Sequence, residues 1–114
     1  MASYLVVDDH PLIAEAIDYF VKKNVGEYNQ IVITSCQRLE QWLKKKDEVD
    51  FILLDLNLSD GDTRPYVKPL LSKAPRLFIY SAEVANDDVR NWINSGATGV
   101  ISKSDSLADL LAAF

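Results

Sequence analysis

The stretch YLVVDDHP runs from Tyr4 to Pro11. Four apolar residues lead directly into two adjacent aspartates, and a proline closes the segment. A continuous apolar run reads as a strand covered on both faces, because a half-exposed strand would alternate. Pro11 fits a first helical position. The acids therefore sit in the turn between a strand and a helix. Two carboxylates there are costly, since each loses water and repels its neighbour. One of them could simply cap the helix. What the rest of the chain places beside them decides between a cap and a site.

Working outward, four more short apolar runs appear: IVIT (Ile31–Thr34), FILL (Phe51–Leu54), LFIY (Leu77–Tyr80) and GVIS (Gly99–Ser102). Longer amphipathic segments separate them. After Pro11, Ile13, Ile17 and Val21 recur at i, i+4 with Leu12, Ala16 and Phe20 alongside, which marks a core-directed helix face. Leu39, Trp42 and Leu43 mark a second helix, with Lys44–Lys46 as a solvated, dipole-complementing end. Tyr66, Val67, Leu70 and Leu71 mark a third. Asn86 is a good N-cap for a fourth, with Asp87 and Asp88 in its first turn, Val89 and Ile93 on one face and Gly96 as its stop. Ser104 or Asp105 caps a fifth that carries Leu107, Leu110 and Leu111. Strand then helix, five times over, predicts an α/β fold: an open parallel sheet with helices on both faces.

The bulk numbers agree. The chain has 114 residues, 48% of them hydrophobic and 25% charged, which suits one globular domain. The net charge of −5 disfavours non-specific binding to nucleic acid. No apolar run approaches the roughly 20 residues that span a bilayer, and MASYLVVDD lacks a secretory signal. One cysteine and one histidine exclude a zinc-type cluster. A cytoplasmic protein without membrane contact is the expectation.

In an open parallel sheet the functional crevice lies outside the carboxyl ends of the strands. The first run ends in Asp8 and Asp9, the third in Asp55, the fourth in Ser81 and the fifth in Lys103. Each alone has a plain reading: a cap, a turn residue in NLSDGD, a loop hydroxyl, a surface lysine. Together at equivalent strand ends they make a site. Clustered carboxylates suit Mg²⁺, which prefers carboxylates, a carbonyl and waters. Lys103 supplies a compensating charge. Asp55 can then attack phosphorus and form an aspartyl phosphate, and Ser81 can donate to the new group.

VVDDHP, LLDLNLSDGD, YSAE and GATGVISKSD resemble the receiver domain of bacterial two-component response regulators. The resemblance covers essentially the whole chain. DDHP, LDLNL and KSD are most similar to the NarL/FixJ-type subfamily, whose members usually carry a C-terminal helix-turn-helix DNA-binding domain. It implies a flavodoxin-like, doubly wound (βα)5 sheet in the order 2-1-3-4-5. It also implies that Asp55 is the phosphoacceptor, and that Asp8, Asp9, Asp55 and the Asn57 backbone carbonyl hold Mg²⁺, Asp9 more directly than Asp8. Ser81 is then the switch hydroxyl, Lys103 the phosphate-facing lysine and Ala82 the small residue that admits phosphate. Asn57 and Glu83 tune attack by water. Val100 stands where many relatives carry a switching aromatic. Ser59 and Thr63 replace a proline and a glycine in the loop after Asp55, Ser104 replaces the usual proline after Lys103, and an unusual start to the third helix is expected, with Pro65 near its first turn.

The expected function is a phosphorylation-activated signalling switch, not an enzyme with an external substrate. Its partners would be a histidine kinase, a second copy through the outer helices, and DNA only through an output domain beyond residue 114. A degenerate receiver acting as a phosphorylation-independent interaction module is the alternative. A haloacid-dehalogenase-type phosphohydrolase needs an aspartate two residues after the nucleophile, and Asn57 cannot transfer that proton. No P-loop or G-x-G-x-x-G supports nucleotide binding. His10 reads as a loop residue, Cys36 as a small buried filler, and Trp42 and Trp92 as partly buried, with a partner-facing role open for Trp92.

Overall fold

In the computed structural model, residues 2–81 and 86–102 are described, with only the backbone described at 81, 86–89 and 102. The opening run forms β1 (Ser3–Val7), and Pro11 starts α1 (Pro11–Asn24). Then follow β2 (Asn29–Ile33), α2 (Cys36–Leu43) and β3 (Phe51–Leu54). A 3₁₀ turn (Arg64–Tyr66), which holds Pro65, leads into a short α3 (Val67–Leu71), so Pro65 stands near the first turn as expected. The chain continues through β4 (Arg76–Ser81), α4 (Asn86–Asn94) and β5 (Gly99–Ser102). All pairings within the sheet are parallel, and the order is β2-β1-β3-β4-β5. This is the expected doubly wound architecture. The expected fifth helix lies outside the described residues.

Period-2 geometry sends alternate side chains to opposite faces, and each face has its own core. Leu5, Val7, Ile52, Leu54, Leu77 and Ile79 face Leu39 and Trp42 of α2 and Val67 and Leu70 of α3. Tyr4, Val6, Phe51, Leu53, Phe78 and Tyr80 face Ala14, Ile17 and Val21 of α1. The central strands are buried on both sides, which is why their sequences do not alternate.

Three local differences from the sequence reading have physical causes. β2 begins at Asn29 and ends at Ile33, earlier than the apolar run. It is an edge strand, with Val32 41% exposed. Its start is set by pairing of Asn29 with Ser3, and by the Gln30 amide, which donates to the Tyr4 hydroxyl (2.9 Å) and the Ala14 carbonyl (2.7 Å). Leu12 is 78% exposed rather than core-directed. It precedes Ile17 by five residues, about 140° round the helix. Finally, Asn57–Leu58 pairs antiparallel with Gly61–Asp62 in a small hairpin that the turn-rich sequence reads only as loop.

Gly96 ends the turn after α4 as expected. Its φ of +111° is left-handed, and a Cβ there would sit 3.2 Å from Leu71. Both conditions select glycine. No helix among the described residues is long and apolar enough to cross a membrane.

Candidate functional site

The carboxyl ends of β1 and β3 lie side by side, since Val7 pairs with Leu54. The ladder continues one residue beyond each strand. The Asp8 amide donates to the Ile33 carbonyl (3.0 Å) and the Asp55 amide to the Val7 carbonyl (2.8 Å). Backbone hydrogen bonds therefore fix both aspartates at the sheet edge. Both are buried, Asp8 at 1% and Asp55 at 5% exposure.

Asp8 is not a helix cap. Its Oδ1 accepts from the His10 amide two residues on (2.9 Å), an Asx-type turn that reverses the chain before α1. Asp9 points across to the next loop, where its Oδ2 accepts from the Ser59 amide (2.8 Å). Asp55 Oδ1 accepts from the Asn57 amide (3.3 Å). One ligand atom each from Asp8, Asp9, His10 and Asp55 lies within 4.8 Å of the others. Three carboxylates and an imidazole thus converge on one volume at the end of the sheet. The donor set fits Mg²⁺, which favours carboxylate oxygens.

Sequence reasoning placed Asp8, Asp9 and Asp55 together, and the fold brings them together. Asn57 is exposed at the start of the hairpin, two residues past Asp55. Ser81 ends β4 and pairs with Ser102 at the end of β5, so its backbone stands at the same sheet edge. Val100 pairs with Ile79 and is half-buried against the core under α2 and α3. Ala82, Glu83 and Lys103 lie outside the described residues.

Two residues do more than the sequence suggested. His10 Nδ1 sits 2.7 Å from Asp8 Oδ1 and 3.2 Å from Asp9 Oδ1, so it belongs to the acidic cluster rather than to a plain loop. Thr63 is fully buried, and its hydroxyl donates to the Asp55 carbonyl (2.6 Å) while its amide donates to the Leu56 carbonyl (2.9 Å). The signal for Thr63 was its substitution for a glycine in the resemblance. Thr63→Val leaves the Asp55 carbonyl without this donor in a buried place. We expect a loss of about 1–3 kcal/mol in urea unfolding.

The hairpin is also tied to α2. Asp60 Oδ1 accepts from the Cys36 amide (2.8 Å) and Oδ2 from the Gln37 amide (3.3 Å), capping the helix beside Ser35, whose Oγ accepts from Arg38 (3.2 Å). The Cys36 amide chiefly holds the Asp60 carboxyl below the usual range, and the Arg64 amide does so for Asp62. Lowered carboxyl pKa values give stability that is present at neutral pH and lost as pH falls through them. Burial, then the Asp60 charge, pushes the Cys36 thiol up to about 11. It stays protonated at neutral pH, in keeping with a buried filler. Trp42 is buried in the core, and Trp92 is half-buried, lining an open groove with Val67 and Leu71.

An open five-stranded parallel sheet with an acidic cluster at its switch point defines an α/β domain with a candidate cation site. Residues 4–114 match the response regulator receiver domain, and the chain belongs to that family. With membership comes the family's role, a signalling switch operated by phosphorylation. The chain is 30% identical over 114 residues to the transcriptional regulatory protein ComA of Bacillus subtilis (strain 168), covering 93% of this chain and 51% of ComA. It is 31% identical over 106 residues to the glycerol metabolism activator of Pseudomonas putida, covering 91% and 48%. The chain thus spans about half the length of these curated relatives. A solved response regulator from Burkholderia pseudomallei, with a phosphorylated aspartic acid, calcium ion and citrate, superposes with a TM-score of 0.78 at 18% identity, covering 99% of this chain and 66% of that one. At that identity the likeness shows the fold.

Proposed function

We propose that Asp55 is the phosphoacceptor and that the domain passes its phosphorylation state to an output that regulates transcription. The observation that carries this reading is the convergence of Asp8, Asp9 and Asp55 at the end of the central strands. Asp8, Asp9, Asp55 and the Asn57 carbonyl would hold Mg²⁺. When bound, the cation offsets carboxylate repulsion and the charge on phosphoryl oxygens.

The chain's own groups do the rest. An Asp55 carboxylate oxygen attacks phosphorus, the bond from phosphorus to the donor's leaving group breaks, and an acyl phosphate results. The Asn57 amide orients the carboxylate. Lys103 balances the added negative charge and Ser81 donates to the phosphoryl group, with Ala82 leaving room for it. Glu83 and Asn57 set access of the water that later hydrolyses the adduct. Val100 cannot act as an aromatic switch. The donor is a histidine kinase, the subfamily is NarL/FixJ-type, the setting is cytoplasmic, and an output domain follows residue 114. These finer assignments are supported by the motifs and by two relatives that are regulatory proteins of about twice this length.

The test is incubation with acetyl phosphate and Mg²⁺ followed by intact-mass measurement. One phosphoryl group is expected on the wild type and none on Asp55→Ala. An adduct that survives the substitution overturns the assignment. No adduct on the wild type returns the reading to a phosphorylation-independent interaction module.

A further inference from the structure

We propose that the outer edge of β2 is a docking site for an extended segment of a partner protein, which adds as a sixth strand and carries the pattern acid-x-apolar-x-acid. This surface is independent of the chemistry at Asp55. β2 pairs with β1 on one side, and among the described residues no strand covers the other. The Asn29 amide donates to the Ala2 carbonyl (2.9 Å), and the Ile33 carbonyl accepts from the Asp8 amide (3.0 Å). Backbone groups alternate sides along a strand, so residues 29, 31 and 33 serve β1. The N–H and C=O of Gln30 and Val32 therefore point out from the sheet. Edge strands are usually blunted by a charge, a proline or a bulge. Asn29–Ile33 has no charged residue, proline or glycine, and it pairs in register over all five residues.

Beside this edge, residues 31–33 and one stripe of α2 line an open groove of about 250 Å³. The stripe is Arg38, Gln41, Trp42 and Lys45, which recur at i, i+3, i+4 and i+7 and so share a helix face. An added strand sends every second side chain to this side of the sheet. Ile31, Ile33 and Trp42 give an aliphatic side chain an apolar place in the groove. Charge selects the rest of the occupant. The charged residues of the lining are Arg38 and Lys45. Both are exposed, and neither is in an ion pair among the described residues. Glu40, on the same helix, is turned to the Tyr66 hydroxyl instead. Arg38 and Lys45 stand about 10 Å apart along the helix. Residues i and i+4 of a strand stand about 13 Å apart, a difference that the long side chains absorb. Acids at those two positions, with an apolar residue between them, match the groove. A second copy does not match it. Two β2 edges related by a two-fold axis would bring four cations together with no carboxylate in the lining to offset them.

The probe is an end-capped peptide, Thr-Glu-Val-Val-Val-Glu-Thr, with a control in which Lys replaces both Glu. Binding to the 114-residue chain is read by NMR titration and amide hydrogen exchange, and self-association by sedimentation. In the free protein, the Gln30 and Val32 amides should exchange faster than those of Ile31 and Ile33. The Glu peptide should bind with a dissociation constant below about 1 mM and slow exchange at Gln30 and Val32 by about fivefold or more. The Lys peptide should bind about tenfold more weakly or worse, and the double substitution Arg38→Glu, Lys45→Glu should reverse that preference. Val32→Pro removes an outward N–H and no bond to β1, so it should abolish peptide binding and leave the far-UV spectrum unchanged. The charge reversal keeps the test decisive if Val32→Pro does not fold. Protected Gln30 and Val32 amides in the free protein, no binding of the Glu peptide, equal binding of both peptides, or a preference that survives charge reversal overturns the proposal. A dimer that Val32→Pro abolishes also overturns it, since the occupant is then a second copy.

Discussion

Phe51→Ala should cost the fold about 3–5 kcal/mol, the range for removing a large side chain from a tight core. Phe51 is fully buried in β3. Its ring stacks on Tyr4 at 4.8 Å between centroids and meets Tyr28 edge-on at 5.6 Å. The substitution removes both ring contacts and the buried area, and leaves a cavity on the α1 face of the sheet. With domain stabilities of about 5–15 kcal/mol, a loss of this size is a large fraction of the total. At a urea dependence of about 2 kcal/mol/M the unfolding midpoint should fall by about 2 M. Leu12→Ala is the control. Leu12 is 78% exposed, and its truncation should stay within about 0.5 kcal/mol. Equal effects for the two would overturn the assignment of the buried face of α1.

Asp9→Asn should reverse the order of stability between variant and wild type when Mg²⁺ is added. In metal-free buffer, removing one of three converging charges relieves repulsion, and an asparagine oxygen can still accept from the Ser59 amide. The variant should match or exceed the wild type, by up to about 1 kcal/mol. Mg²⁺ at about 100 times its dissociation constant stabilises the wild type by about 2.7 kcal/mol. The variant, short of one proposed ligand, should gain little. Thermal unfolding with and without Mg²⁺ reads both halves. A variant less stable without Mg²⁺, or one stabilised by Mg²⁺ as strongly as the wild type, removes Asp9 from the proposed ligand set.

The sheet was legible because its central strands are covered twice, so continuous apolar runs mark them without ambiguity. Phe51–Leu54 coincides with its run, and β1 adds only Ser3 to Tyr4–Val7. β2 was less legible because an edge strand is bounded by its partner, and pairing with Ser3 is invisible in the local sequence. Asp8, Asp9 and Asp55 were readable from strand ends plus the rule that such ends converge. His10 was not. Its place depends on an Asx turn, the extended backbone before Pro11 and the absence of a cap, three local facts that only coordinates combine. Thr63 and Asp60 were hidden for a related reason: turn-forming residues say that a loop exists, not which amides it will satisfy.

The Asp60 contacts have a consequence for how the domain communicates. The loop that follows Asp55 supplies the carboxylate that closes the first turn of α2. Displacing the loop and loosening that turn are therefore one event. Such a linkage is reciprocal. If a change of state at Asp55 shifts the loop, the start of α2 feels it, and a molecule that grips α2 would bias the equilibrium of that change by the same free energy. Asp60 thus couples the loop after Asp55 to the start of α2.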